Sequence, residues 1–360
     1  MTHRCFASCA FGLESIVATE LKKLGLNHVS IQNARVYFDA DEQGIAKANI
    51  WLRSADRVYI EIGSFVATTF DALFEGIKGV EWENYIPRDA CFPVNADSVK
   101  SQLFSVSDIQ SISKKAVVTR LMSRYRTNVL PETGHRYDIH IKILCDQVSI
   151  CLNVSGAGLN RRGYRMANVK APIRETLAAG LVMLTGWESG EFSDPMCGSG
   201  TIAIEAAMIG SNIAPGTGRS FDGEKWHLFK NEWVHERESA RQKIKEPCIV
   251  LASDIDRNAL SAADKNAQAA GVSLRLYHAD LRDFKRNNCT VLTNPPYAER
   301  LGEKKSVELL YRDMGKALEH VDRKFIITAD DQFERFFGAR ATKKRKLYNG
   351  NIRCTLYQYF

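Results

Sequence analysis

The sequence lacks the features that would place it in several large protein classes. Its nine cysteines (Cys5, Cys9, Cys91, Cys145, Cys151, Cys197, Cys248, Cys289 and Cys354) include no C-x-x-C pair. An odd, unpatterned set without a secretory leader excludes a disulfide framework, a zinc ribbon and a redox motif. It reads as reduced thiols in a cytoplasmic protein. No apolar run approaches the roughly 20 residues of a membrane helix, so no membrane partner is expected. His135 and His140 fall on opposite faces of a predicted strand that also holds Asp138, so no metal is expected there. Internal repeats and low-complexity tracts are absent too, which argues against solenoids and disordered tails.

What is present is ordinary for a globular chain. At 360 residues, 45% hydrophobic and 25% charged, it can form two or three domains around real cores. Its net charge of +7 suits a polyanionic partner without requiring one.

The opening segment alternates element types. "RCFASCA" reads as a strand, "LESIVATELKKLG" as an amphipathic helix ending at Gly25, and "VSIQNARVYFDA" as a strand pair. "EQGIAKANIWLRSA" comes next as a helix and "RVYIEIGSFVA" as a returning strand, an order that suits a ferredoxin-like α+β unit. A second α/β unit begins at about residue 65. In it Val118, Leu121, Met122 and Tyr125 take the positions of a helical core face, with Arg120 and Arg124 on its flank. "DIHIKILCDQVSICLNVSG" supplies two strands about a turn at Asp146-Gln147. The stretch "GAGLNRRGYRMANVKAPIRE" is a glycine-rich, basic connector that contains a domain boundary. Beyond it Pro172 suits the first turn of a helix closed by Gly186. Strands and helices then alternate, as in a parallel doubly wound sheet. "KRKLYNGNIRCTLYQYF" ends the chain as a hairpin around Asn349-Gly350, predicting an antiparallel last strand.

Within that second half, "FSDPMCGSGTIAIEAAMIG" carries the strongest local signal. A strand ends at Asp194, and a tight loop of Met196, Cys197, Gly198, Ser199 and Gly200 opens a helix at Thr201. Small residues let a ligand approach the backbone, and Ala203 completes G-x-G-x-x-A. An acid before the loop would repel a pyrophosphate but can hold a cationic amino group. S-adenosylmethionine carries such a group and no phosphate. "IVLASDID" ends a buried strand in Asp254 and Asp256, where a carboxylate can accept both hydroxyls of a ribose. "LRLYHADLRDF" ends another at Asp280 and Leu281, placed to meet an adenine amino group. Each acid alone would also suit a helix N-cap. Together they lie at successive strand ends, on the edge where such sheets bind ligands. Cys197 reads as a small packing residue, and the polar, tryptophan-bearing stretch 211–247 as an insertion.

In "VLTNPPYAERLG" Pro295 and Pro296 end a strand and make a stiff elbow after it. The nitrogen of a base's exocyclic amine is a poor nucleophile, because its lone pair is delocalised into the ring. The Asn294 side-chain oxygen and the Pro295 carbonyl can hold its two N–H bonds, turning the lone pair toward a methyl donor and stabilising the developing charge. Tyr297 offers a face for stacking the base, worth roughly 1–3 kcal/mol. Positioning would supply much of the acceleration, so no general base is required.

"DPMCGSGTIAIEAA" and "NPPYAERLG", behind an α/β half ending "VSGAGLNRRGYR", resemble the THUMP-domain RNA methyltransferases over essentially the whole chain. The likeness is greatest to the bacterial ribosomal RNA large-subunit guanine-N2 methyltransferase group, whose relatives include tRNA guanine-N2 enzymes. It implies an α/β chain in three parts: residues 1–64 ferredoxin-like, 65–160 a THUMP RNA-binding domain, and 161–360 a Rossmann-like methyltransferase. The last would be a doubly wound, mostly parallel sheet with an antiparallel last strand. The resemblance further implies S-adenosyl-L-methionine as cofactor, held at Asp194, the Met196–Gly200 loop, Asp256 and Asp280, with catalysis at Asn294 to Tyr297. Asn294 borders the cofactor as well. Some large relatives carry a second methyltransferase; this chain ends without one, so a single activity is expected.

The expected substrate is therefore RNA, with guanine N2 of 23S rRNA as the target and tRNA guanine-N2 methylation as the alternative. Arg161, Arg162, Arg165 and Lys170 interleave with Tyr164 in the connector, a mix suited to phosphate contact and stacking, although a solvated linker would look the same. "TKKRK", residues 342–346, is a second basic run that reads equally well as solvated surface. The same elbow also serves DNA adenine and protein glutamine methyltransferases, and a non-catalytic RNA-binding assembly protein is a third class. The amino-terminal half argues against the first two, and the intact loop, acids and elbow against the third. No obligate protein partner is evident.

Overall fold

A computed structural model describes residues 2–166, 173–296 and 304–360. Lys170, Pro172 and Tyr297, singled out above, lie outside them. The amino-terminal half runs β1 (His3–Cys9), α1 (Glu14–Lys23), β2 (Asn27–Gln32), β3 (Arg35–Ala40), α2 (Glu42–Trp51), β4 (Ala55–Val66), α3 (Phe70–Lys78), β5 (Val94–Val99), α4 (Val106–Tyr125), β6 (Asp138–Leu144) and β7 (Gln147–Asn153). Its strands form one seven-stranded sheet in the order β2-β3-β1-β4-β7-β6-β5. β4 is the hinge of that arrangement. Its first part pairs with β1 (Val58 opposite Ala7), and it runs on along β7 from Tyr59 to Val66. The division expected between residues 64 and 65 thus falls inside a strand that both units share.

Two local expectations shift slightly. The β6–β7 turn lies at Cys145 and Asp146, both with positive φ (50° and 64°), which suits a two-residue hairpin turn. The buried face of α4 is Ile109, Ser113, Ala116, Val117 and Leu121, so Val118, Met122 and Tyr125 sit at its margin. Arg120 and Arg124 both reach Glu83, at 2.6 and 3.1 Å, which fixes that flank of the helix.

The second half runs α5 (Glu175–Leu184), β8 (Glu191–Asp194), α6 (Thr201–Gly210), α7 (Glu232–Gln242), β9 (Val250–Asp254), α8 (Arg257–Ala270), β10 (Leu274–His278), β11 (Cys289–Thr293), α9 (Lys304–Ala317), β12 (Arg323–Thr328), α10 (Phe333–Phe337), β13 (Lys343–Asn349) and β14 (Ile352–Tyr359). The sheet order is β10-β9-β8-β11-β12-β14-β13. The first five strands are parallel, and β14 is antiparallel to both its neighbours, as the hairpin predicted. Strand order reverses between β8 and β11, the switch point where such sheets open a ligand crevice. No helix among the described residues is long and apolar enough to cross a membrane.

The insertion 211–247 belongs by packing to the other half. Phe221, Trp226, Phe229 and Trp233 are buried in the core of the amino-terminal half. Tyr137 stacks on Trp226 with ring centroids 4.7 Å apart, and the Trp226 indole donates to the Arg136 carbonyl at 2.8 Å. Trp51 in turn donates to Glu236 of α7 at 2.8 Å. Leu13 closes the joint from the other side. It packs on α5 where Gly180 leaves room, since a Cβ there would lie 2.8 Å from Leu13 Cδ1. A chain cut at the connector would expose all of these rings.

The connector itself is locked into this joint, which corrects the expectation for two of its residues. Arg162 is 5% exposed. Its guanidinium pairs with Glu205 of α6 at 3.3 Å and donates to the carbonyls of Leu159 (2.8 Å) and Arg53. Tyr164 is also buried, its hydroxyl donating to the same Glu205 oxygen at 3.0 Å. Neither side chain presents a face to RNA, because the buried Glu205 carboxylate claims both. Arg165 is partly buried and donates to Glu175 at 2.8 Å and to the Thr201 hydroxyl at 3.3 Å. Among the described connector cations singled out above, Arg161 alone is exposed.

Truncating Glu205 would leave the Arg162 cation buried without its counter-charge. Glu205→Ala is expected to cost about 3–5 kcal/mol, read as a lowered urea midpoint at unchanged slope. A midpoint equal to that of the parent protein would show that the pair contributes nothing.

Candidate active site

The parallel pairing of β8 with β11 (Ser193 opposite Val291) brings their carboxyl ends side by side. There the Thr293 hydroxyl donates to Asp194 Oδ1 at 2.8 Å, and the Met196 N–H donates to the same oxygen at 3.3 Å. Asp194 is 1% exposed. Burial pushes its carboxyl up to about 7, the nearby Asp254 charge adds to that, and the two hydrogen bonds oppose it. A carboxylate held this way gains strongly from a cation brought beside it.

The glycine loop is shaped by the next acid. Asp254 accepts from the Gly198 N–H at 2.8 Å with one oxygen and from the Asp256 N–H at 2.9 Å with the other. The Cys197 N–H reaches the Ser253 carbonyl at 3.0 Å, tying the loop to the end of β9. Gly198 and Gly200 both take positive φ, 52° and 84°. They differ in surroundings. A Cβ at Gly200 would come 3.0 Å from Ala263 Cβ, whereas one at Gly198 would meet nothing within 4 Å. Gly200 lets α6 approach α8, and Gly198 leaves the space that a ligand needs. Cys197 is buried, and burial together with Asp194 and Asp254 pushes its thiol up. Ser199 is buried, with its carbonyl accepting from Asn266 at 3.1 Å.

The other two acids are placed less directly. Asp256 is exposed and caps α8, accepting from the Asn258 N–H at 2.8 Å. Asp280 caps the short turn Leu281–Asp283 and pairs with Arg282 (3.0 Å), which holds its carboxyl below the usual range. Leu281 is buried beneath it. The capping role weighed for single acids thus holds for both. The elbow comes directly after Thr293, with Asn294 half-buried, Pro295 buried and Pro296 exposed.

Three residues that the sequence reading passed over belong to this site. Thr293 couples the elbow to Asp194. Asn266 lies on the alanine stripe of α8 (Ala259, Ala263, Ala267), and its amide joins the connector's Met166 N–H (2.9 Å) to the glycine loop. A polar residue in an apolar stripe was the available signal. Ile255, between Asp254 at the end of β9 and the α8 cap Asp256, is 64% exposed and offers an apolar surface beside them.

Residues 162–358 match the family model described as the RMKL-like methyltransferase domain. The chain belongs to the RMKL-like methyltransferase family. Residues 4–59 match the RlmL ferredoxin-like domain and residues 67–153 the THUMP domain. YpsC of Bacillus subtilis (strain 168), a candidate RNA methyltransferase, is 44% identical over 98% of this chain and 95% of its own length. Among solved structures, a predicted N6-adenine-specific DNA methylase from Listeria monocytogenes str. 4b F2365 is 44% identical, with a TM-score of 0.94 over 100% of this chain and 96% of that one. SMU.472, a candidate methyltransferase complexed with SAH, is 41% identical, with a TM-score of 0.93 over 100% and 98%. The chain spans about half the length of the ribosomal RNA large subunit methyltransferase K/L proteins that it matches. That of Syntrophotalea carbinolica, for example, is 34% identical over 98% of this chain and 53% of its own.

Because the folded-state carboxyl of Asp194 lies above its ordinary 3.8, ionising it opposes folding. That cost sets in as pH rises past 3.8 and is complete above about 7. Asp194→Asn keeps an acceptor for Thr293 and removes the charge. It is expected to gain roughly 2–3 kcal/mol more over the parent at pH 8 than at pH 5, read from unfolding of the ligand-free protein. Equal gains at both pH values would mean that Asp194 is not a desolvated carboxylate.

Proposed function

We propose that this chain is an S-adenosylmethionine-dependent RNA methyltransferase acting on guanine N2 of large-subunit ribosomal RNA in the cytoplasm. The observation that carries the reading is the Thr293–Asp194 hydrogen bond. It fixes a buried carboxylate suited to an amino-acid ammonium group directly beneath an elbow suited to an exocyclic amine. The residues fit the cofactor: Asp194 for its ammonium, the open backbone at Gly198 for close approach, Asp254 or Asp256 for ribose hydroxyls and Ile255 for an adenine face. The binding of SAH by SMU.472 supports the same assignment. When bound, S-adenosylmethionine supplies an electrophilic methyl on its sulfonium.

The chain's own residues then act on the nucleophile. Asn294 Oδ1 and the Pro295 carbonyl accept from the amine, orient its lone pair and stabilise the positive charge that grows on nitrogen. The diproline keeps both acceptors in place, which lowers the reorganisation needed at the moment of transfer. RNA is favoured over other substrates by the THUMP match and by the names of YpsC and the K/L proteins. The Listeria protein's name favours a second reading, N6-adenine in DNA, since that nitrogen is also an exocyclic amine. Mass-spectrometric mapping of nucleosides in rRNA, tRNA and DNA from a deletion strain separates them. Loss of a methylated guanine from rRNA supports the first reading, and loss only from tRNA or DNA overturns it.

Asn294→Ala is expected to lower single-turnover methyl transfer by about 10²–10³ while leaving cofactor affinity unchanged. A variant within a fewfold of the parent would reduce the elbow to a turn. The two β9 acids should separate as well. Asp254→Ala removes the carboxylate that holds both Gly198 and Asp256, so calorimetry should show weaker cofactor binding than for Asp256→Ala. The reverse order would return the ribose contact to Asp256.

A further inference from the structure

A second cavity, of about 490 Å³, opens at the junction of the two halves. Its walls include Phe11 from the β1–α1 turn, Asp56 from the start of β4, Arg174 just before α5, and Tyr348 from the final hairpin. Phe11 is 54% exposed, and its ring meets that of Tyr348 edge to face at 6.1 Å. The backbone holds Phe11 there. Gly12, at φ 93°, lies so close to β13 that a Cβ would come 2.6 Å from the Lys346 carbonyl oxygen. Arg174 is exposed and its guanidinium forms no salt bridge among the described residues, while its backbone N–H donates to Asn349 Oδ1 at 3.2 Å. Asp56 is partly buried, accepts from the Thr176 hydroxyl at 3.1 Å, and is held above the usual carboxylate range by burial.

This cavity lies on the same sheet edge as the elbow. β14 runs antiparallel to β12, with Thr328 opposite Thr355, so the β13–β14 turn emerges where the parallel strands end. β11, β12, β14 and β13 are successive neighbours and Tyr348 lies three residues beyond the level of Asn294, which puts it roughly 18 Å away at the usual strand spacing and rise. That is within reach of the few nucleotides that flank a target base. β13 adds exposed Lys343, Lys344 and Lys346 beside it.

We propose that this cavity is a second nucleotide subsite, which takes an unpaired RNA nucleotide flanking the methylated base. The base lies against Phe11 and Tyr348, its N–H edge faces Asp56, and Arg174 meets the adjoining phosphate. An exposed and a half-buried aromatic ring beside a guanidinium without a salt bridge among the described residues suit a single-stranded nucleotide, because every base has a face to stack and every linkage has a charge. The inference rests on RNA as the substrate.

The test is fluorescence anisotropy with the full chain and a labelled single-stranded 12-nucleotide RNA. The Phe11→Ala/Tyr348→Ala double variant is expected to bind it about tenfold or more weakly, with affinity for S-adenosylhomocysteine unchanged. Tyr348→Phe alone should keep the parent's affinity, because the ring remains. Arg174→Gln should weaken binding and reduce the salt slope by about one. Parent-like RNA affinity in the double variant overturns the subsite and leaves the substrate reading intact. Absence of RNA binding by the parent protein overturns both. If the double variant also loses the cofactor, ultraviolet cross-linking of the parent protein to the same RNA decides. Adducts on the peptides of Phe11 or Tyr348 support the subsite, and adducts only elsewhere overturn it.

Discussion

One negative charge, Glu205 in the middle of α6, organises the joint between the two halves. It is fully buried and shared by Arg162 and Tyr164, and Arg162 passes the connection on to the Arg53 carbonyl at the end of α2. Such a cluster is costly to desolvate. Glu205 Oε2 and Arg53 Nη1 have no hydrogen-bond partner among the described residues, and burial pushes the Arg53 guanidinium down to about 10. Replacing a buried ion cluster by apolar residues of similar volume is often neutral or stabilising, so stability alone does not account for it. What the ions provide is direction: a guanidinium fork satisfies one carboxylate and two carbonyls in few arrangements. The connector is thereby threaded one way past α6, and Arg165 reaches Thr201, the first residue after the glycine loop.

The site itself is built on a related conflict. Asp194 and Asp254 lie at the ends of adjacent strands, and the Asp254 charge adds to the cost of ionising buried Asp194. Each accepts one backbone N–H from the glycine loop, Met196 to Asp194 and Gly198 to Asp254. The loop is therefore shaped by the same carboxylates that a cationic ligand would neutralise. Under the proposed function, cofactor binding and loop order are one event, since an ammonium beside Asp194 removes the repulsion that the fold tolerates.

The sequence carried much of this where the relevant physics is local. Apolar alternation gave the strands, a positive-φ glycine pair gave the loop, and Asn349-Gly350 gave the last hairpin. It failed where burial is decided from far along the chain. Nothing near Arg162 or Tyr164 indicates that Glu205, about forty residues on, will claim them. The stretch 211–247 looks like an insertion in the catalytic half because the partners of Trp226 and Glu236, Tyr137 and Trp51, lie far upstream. The shared strand β4 is hidden for the same reason, because pairing with β1 on one side and β7 on the other is non-local. At Asp256 and Asp280 the local capping role was itself visible in the sequence, and both acids do cap the helical turns that follow them.

The insertion ties the two halves together through its packing. α7 and its preceding loop leave the catalytic sheet, bury their rings in the amino-terminal core and return at β9. A flexible tether would let RNA bind without fixing where its bases fall. Here Trp226 and Trp233 on one side, Leu13 against Gly180 on the other and Arg162 between them hold the joint at three separated points. If acceleration comes mainly from presenting one amine in line with one methyl, then rigidity between the RNA-binding half and the elbow contributes directly to the rate. A loosened joint would lower turnover without touching any residue of the site.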